Sequence, residues 1–168
     1  MIVPAWRDLP APLRALARWL TLVQVVGYTT ALVNVWATTR MLPPGISAHY
    51  RGGDAAIGEG QGPLEFGKSF TEMLGLTHTH LLGMAAIFAF SGAALALCSR
   101  PSERWKRFLV AEPFGALLVS FFAMWLMRYA DPRFSWLLAA SSTLMAVTFY
   151  AQAILVQIDL WRAERSHA

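Results

Sequence analysis

Long apolar runs broken by short polar interruptions dominate this chain, and they predict four membrane-crossing helices at about residues 15–37, 78–98, 108–129 and 134–160. Each run meets the need for about 20 residues to cross roughly 30 Å of hydrocarbon at about 1.5 Å per residue. The expected fold class is therefore all-α: an integral membrane protein in which residues 1–168 form one four-helix transmembrane bundle, with a long loop over 38–77 between the first two helices. Ahead of the first run, Pro4, Pro10 and Pro12 with Trp6 and Arg7 predict a short segment lying at the interface. A signal peptide is the competing reading of the first run, but its apolar core would be shorter and no small-x-small cleavage site is evident after Trp36.

The polar positions inside these runs carry the candidate chemistry. Gln24 and Tyr28 share one face of the first helix and Asn34 follows, placed either for helix–helix hydrogen bonds or to meet a cofactor or quinone. The loop opens with Leu42-Pro43-Pro44-Gly45, holds His49, and is rich in glycine from Gly52 to Gly62. At its end Ser69-Phe70-Thr71-Glu72 has the form of a capping box, which starts a helix near Phe70 and puts His78 and His80 inside that helix. At about 100° per residue, Leu82, Ala85, Ala89, Gly92, Ala93 and Ala96 fall within about 60° of His78, a stripe on which a neighbouring helix or a flat ring such as a porphyrin can lie. His80 points nearly the other way, with Met84, Ile87 and Ser91. In the third run Glu112-Pro113 joins a kink to a carboxylate, read as an interfacial partner of a nearby Arg or Lys or else as a proton carrier. The fourth run follows the turn Asp131-Pro132-Arg133 and contains the small stretch Ala139-Ala140-Ser141-Ser142, then Gln152, Gln157 and Asp159.

Charge sets the orientation. Nine basic residues (Arg7, Arg14, Arg18, Arg100, Arg104, Lys106, Arg107, Arg162, Arg165) stand against five (Arg40, Arg51, Lys68, Arg128, Arg133), which predicts both termini inside and the long loop outside. His49, His78 and His80 then gather on the outer side, the periplasmic side of a bacterial inner membrane. With 56% hydrophobic and 14% charged residues the chain is too apolar for a soluble domain. Its pI near 9.7 comes from topology clusters, not from a basic face for nucleic acid. The single cysteine, Cys98, excludes an internal disulfide and a Cys-cluster zinc site.

Three outer histidines with Met84 offer imidazole and thioether, a set suited to haem iron or copper and not to calcium or magnesium. No Cys-x-x-Cys-His is present for covalent haem, and no P-loop, nucleophile elbow or HExxH. A b-type haem would take His78 as the expected ligand, with His80 or His49 as a second contact; if the first turn unwinds, His80 with Met84 one turn below becomes the better pair. No ligand role is expected for His167, which lies in the C-terminal tail.

The run His78-Thr79-His80-Leu81-Leu82-Gly83-Met84, followed by a Gly- and Ala-containing apolar span and the turn Ser99-Arg100-Pro101, resembles the helix of haem-copper oxidases and nitric oxide reductases whose histidine ligates low-spin haem b. It is also similar to small four-span bacterial membrane proteins with a His-x-His-Leu opening. The resemblance covers one span of the four and implies a haem ligand at His78 or His80. The other histidine-bearing helices are lacking, so oxidase or reductase chemistry is not implied. Two functions follow as expectations. One is a haem b or metal-binding electron-transfer protein in a respiratory assembly, meeting lipid, other membrane subunits or a second copy, and a periplasmic redox protein. The other is a cofactor-free accessory subunit of a membrane complex.

Overall fold

The computed structural model describes residues 5–53 and 65–165. The glycine-rich centre of the long loop, including Gly58, Gly60 and Gly62, lies outside the described residues, as does His167. Five α-helices appear: α1 (Ala11–Thr39), α2 (Pro43–Arg51), α3 (Phe70–Ala96), α4 (Glu103–Tyr129) and α5 (Phe134–Arg165). All but α2 are long and apolar enough to cross a membrane. The architecture is the expected all-α bundle of four spans, with α4 and α5 packed most extensively and α1 touching α3 only slightly.

Local signals account for most helix ends. Ser69 accepts from the Glu72 N–H at 3.3 Å while Glu72 accepts from the Ser69 N–H at 2.7 Å, so the capping box starts α3 at Phe70, eight residues before the predicted apolar span. Pro12 sits in the first turn of α1, and Pro43 and Pro44 open α2, where a missing N–H costs nothing. The turn into α5 is tied by Asp131 Oδ1, which accepts from the Arg133 N–H at 2.7 Å.

One expectation changes. The loop over 38–77 is not structureless: α2 fills its first part, and a two-residue antiparallel pair, β1 (Gly52–Gly53) with β2 (Glu65–Phe66), closes its neck. The N-terminal segment packs on the end of the bundle. Trp6, in a 3₁₀ turn over Trp6–Asp8, is buried against Leu95, Leu109 and Leu160, and donates from Nε1 to the Ala94 carbonyl at 3.1 Å. A buried indole needs a partner for its N–H, and a carbonyl in the last turn of α3 supplies one.

Candidate functional site

The loop end of the bundle is held by an arginine clamp. Arg51, the last residue of α2, donates from Nη1 to the Met127 carbonyl at 2.7 Å and lies 3.4 Å from that of Arg128, capping the C-terminal end of α4. Arg128 in turn donates from Nε to the Lys68 carbonyl at 2.8 Å, and the Lys68 N–H donates to the Tyr50 carbonyl at 3.0 Å. Below the clamp Ile46, Met73, Met124 and Met127 form a buried apolar cluster. The described parts of the loop thus fold over this end of the bundle, carrying His49 on α2 with its ring edge-on to Tyr50 at 5.1 Å. Burial pushes the Tyr50 phenol above its ordinary range.

His78 and His80 are both exposed on α3. The small-residue stripe below His78 faces away from the bundle: Leu82, Ala89, Ala93 and Ala96 are exposed, Ala85 is half-buried, and only Gly92 is buried, against Val110. The bundle side of α3 is set by the buried Met73, Phe88, Ser91, Gly92 and Leu95, whose mean direction lies about 60° from His80 and about 100° from His78. His80 therefore stands at the edge of the packed face. Its Nδ1 lies 3.0 Å from the Leu76 carbonyl of the preceding turn. A carbonyl only accepts, so in this bond Nδ1 carries the hydrogen, and in the neutral ring Nε2 keeps its lone pair. Thr77 accepts from Trp125 Nε1 at 2.9 Å, and Phe70, Trp125 and Tyr129 form an aromatic row at this level. His80 lies about 4.5 Å deeper than Thr77 along the helix. No three His, Cys, Asp or Glu side chains among the described residues group to hold a metal ion.

A second set of polar groups lies between α4 and α5. Pro113 has no N–H to give to the carbonyl of Leu109 four residues earlier, and Gln152 takes over, donating from Nε2 at 2.6 Å. The Glu112 carboxyl is hydrogen-bonded to the Thr148 hydroxyl. The expected pairing with a basic residue is not seen among the described residues; Lys106 pairs instead with Glu103 at 2.9 Å. Further along, the hydroxyls of Ser120 and Ser141 meet at 2.8 Å. On the other flank Tyr28 stacks on Phe149 at 4.6 Å, and Thr29 shares a 2.7 Å hydrogen bond with Tyr150. Gln24 is half-buried, whereas Asn34 is exposed. Two acceptor oxygens in this region, Glu112 Oε1 and Gln152 Oε1, are buried with no partner among the described residues. Pro113 marks the freed carbonyl in the sequence; nothing local identifies Gln152 or Thr148 as the groups that answer it.

Residues 40–167 match the model of a family described as a transmembrane helical domain (Aq_1264_TM), a stretch that runs from α2 through α5 and leaves the whole of α1 outside. Neither a curated protein nor a solved structure matches the chain.

Proposed function

The chain belongs to this family of transmembrane helical domains, and from that premise we propose that it is a membrane-embedded electron-transfer subunit that holds a haem b at the loop end of α3, with His80 as axial ligand. The observation that carries the reading is the setting of the His80 ring. Its Nδ1 lies at hydrogen-bonding distance from the Leu76 carbonyl on an exposed side chain, an arrangement that in the neutral ring leaves Nε2 for a ligand. An axial imidazole needs this arrangement, because the hydrogen bond at one nitrogen fixes the tautomer and ring orientation for the other. A bound haem supplies one-electron chemistry at its iron. The chain contributes the oriented ligand, the apolar flank that includes Met84 one turn below, and the α2 cap over the same end of the bundle. His78, on the outward face, and His49, on α2, are reserved for contacts beyond the first ligand.

Exposure of His80 favours a site completed by another chain or a second copy, since ionisable side chains at membrane depth are rarely left facing lipid. The cofactor-free accessory reading draws on a different observation. Leu82, Ala89, Ala93 and Ala96 present an exposed small-residue face suited to a partner helix, and the aromatic row at Trp125 marks a level where water and headgroups could satisfy both histidines. The absorption spectrum of the purified full chain separates the two. A Soret band that shifts on reduction and disappears in His80→Ala supports the electron-transfer subunit; a colourless protein that copurifies with a fixed membrane partner supports the accessory one.

A further inference from the structure

Gln24 stands near the centre of α1, about 20 Å from either end of the helix. It is half-buried, and no hydrogen bond joins its carboxamide to any of the described residues. Asn34, about 15 Å nearer the loop end, is exposed and equally without a partner among them. Exposure on the flank of a membrane span is exposure to hydrocarbon, so the Gln24 amide is as far from water as a group in a protein core. Amides at such depth are almost always paired. Both amides fall on one seam. Leu20, Gln24, Gly27, Ala31, Asn34 and Thr38 recur at alternating steps of four and three, the heptad spacing of helices that pack side by side with a left-handed crossing. At 100° per residue the seam lies about 90° round the helix from the buried Thr21, Tyr28 and Thr39, which face the bundle. Its last four members are exposed, and a Cβ added at Gly27 would meet nothing within 4 Å. α1 is also the least buried of the four spans.

We propose that α1 pairs along this seam with α1 of a second copy of the chain, Gln24 to Gln24 at the centre of the bilayer and Asn34 to Asn34 toward the loop end. The amides select the occupant. Lipid tails offer neither donor nor acceptor, and a headgroup does not reach the middle of the span. Two copies inserted the same way round are related by a two-fold axis along the membrane normal, which sets each seam residue opposite its own counterpart at the same depth. A carboxamide carries donors and an acceptor together, so two facing Gln24 side chains each donate to the other. Gly27 and Ala31, between the two amides, let the backbones approach closely enough for those bonds. A polar residue at a seam position also fixes the register of the pair. A helix of another protein fits only if it brings amides at both depths, whereas a second copy brings them by symmetry. The seam excludes His80, and α1 meets α3 only slightly, so the pairing stands or falls separately from the haem reading.

The test is single-molecule photobleaching of the full chain, labelled with one fluorophore at its C-terminus, in phosphatidylcholine vesicles over a range of protein-to-lipid ratios. Two-step bleaching that gives way to single steps on dilution is expected. Gln24→Leu should weaken the dimer about 3- to 30-fold, and Gln24→Asn, which keeps a carboxamide, should weaken it less. A second measurement does not depend on losing the amide. In a Cys98→Ala background, Ala31→Cys on the seam should form an interchain disulfide on oxidation, and Val33→Cys, exposed on the far side of α1, should not. Single steps at every ratio, wild-type affinity in Gln24→Leu, or as much disulfide in Val33→Cys as in Ala31→Cys would overturn the proposal. So would a fixed complex with a different protein in place of the dimer, which would assign the seam to that partner.

Discussion

Replacing Gly67 by alanine tests how the long loop is held over the bundle. A methyl there would sit 2.3 Å from the Arg51 carbonyl oxygen, 2.9 Å from its carbon and 3.1 Å from the Arg128 guanidinium. The first two are backbone atoms and cannot swing aside as a side chain can, so the neck formed by β1 and β2 must part. Overpacking of this kind costs about 1–3 kcal/mol. Parting the neck also puts at risk the 2.8 Å bond from Arg128 to the Lys68 carbonyl and the 2.7 Å bond from Arg51 to the Met127 carbonyl, and a hydrogen bond from a charged donor contributes about 1.5–3 kcal/mol. Strain plus the loss of one such bond comes to about 2.5–6 kcal/mol against the closed cap. At a factor of ten per ~1.4 kcal/mol, amides of α2 should exchange roughly 10²- to 10⁴-fold faster. Hydrogen exchange of the chain in nanodiscs, read by mass spectrometry on peptides over residues 43–53, measures this, while the central parts of α4 and α5 should keep their protection. Wild-type exchange over α2 in Gly67→Ala would refute the clamp.

Other expectations follow from the same contacts. Gln152→Leu leaves the Leu109 carbonyl without its donor and should cost about 1–3 kcal/mol; adding Pro113→Ala restores an N–H four residues on, so its gain should be larger by about 1 kcal/mol in that background than in the wild type, and equal gains in unfolding titrations would contradict the exchange of donors. Burial, with a smaller contribution from nearby Asp159, pushes the Cys98 thiol up to about 12 from 9.0. At pH 8 maleimide labelling should therefore run about 10³-fold slower in the native protein than after SDS unfolding, and comparable rates would contradict the packing. Because folding favours the neutral thiol, its contribution to stability is full below pH 9 and falls as the pH climbs toward 12. A cysteine placed beside Arg104 should resist impermeant reagents in intact cells, as both termini inside requires; labelling from outside would reverse the topology.

The four spans were legible because apolar runs of this length have few other uses, and the start of α3 because Ser69 and Glu72 satisfy each other locally. α2 also had a local signal, Pro43 and Pro44 in a first turn, but the same residues read equally well as loop. What could not be read was anything joining distant segments: Arg51 to the end of α4, Gln152 to the carbonyl that Pro113 frees, or Thr148 to Glu112. The histidines show the limit most clearly. Helical arithmetic fixes the angle between His78 and His80, but which of them lies nearer the bundle depends on what α3 packs against. The buried Met73, Phe88, Ser91, Gly92 and Leu95 put the packed face nearer His80 than His78 and leave Leu82, Ala89, Ala93 and Ala96 of the stripe exposed.

The reading of the protein as a haem-holding subunit rests on His80, and the reduced-minus-oxidised spectrum of the purified chain, produced with ample haem precursor, tests it most directly. The predicted result is a Soret band that shifts on dithionite addition in the wild type and in His49→Ala, is lost in His80→Ala, and survives with altered intensity in His78→Ala. A wild-type protein with no Soret band and no iron or copper by elemental analysis would contradict the account.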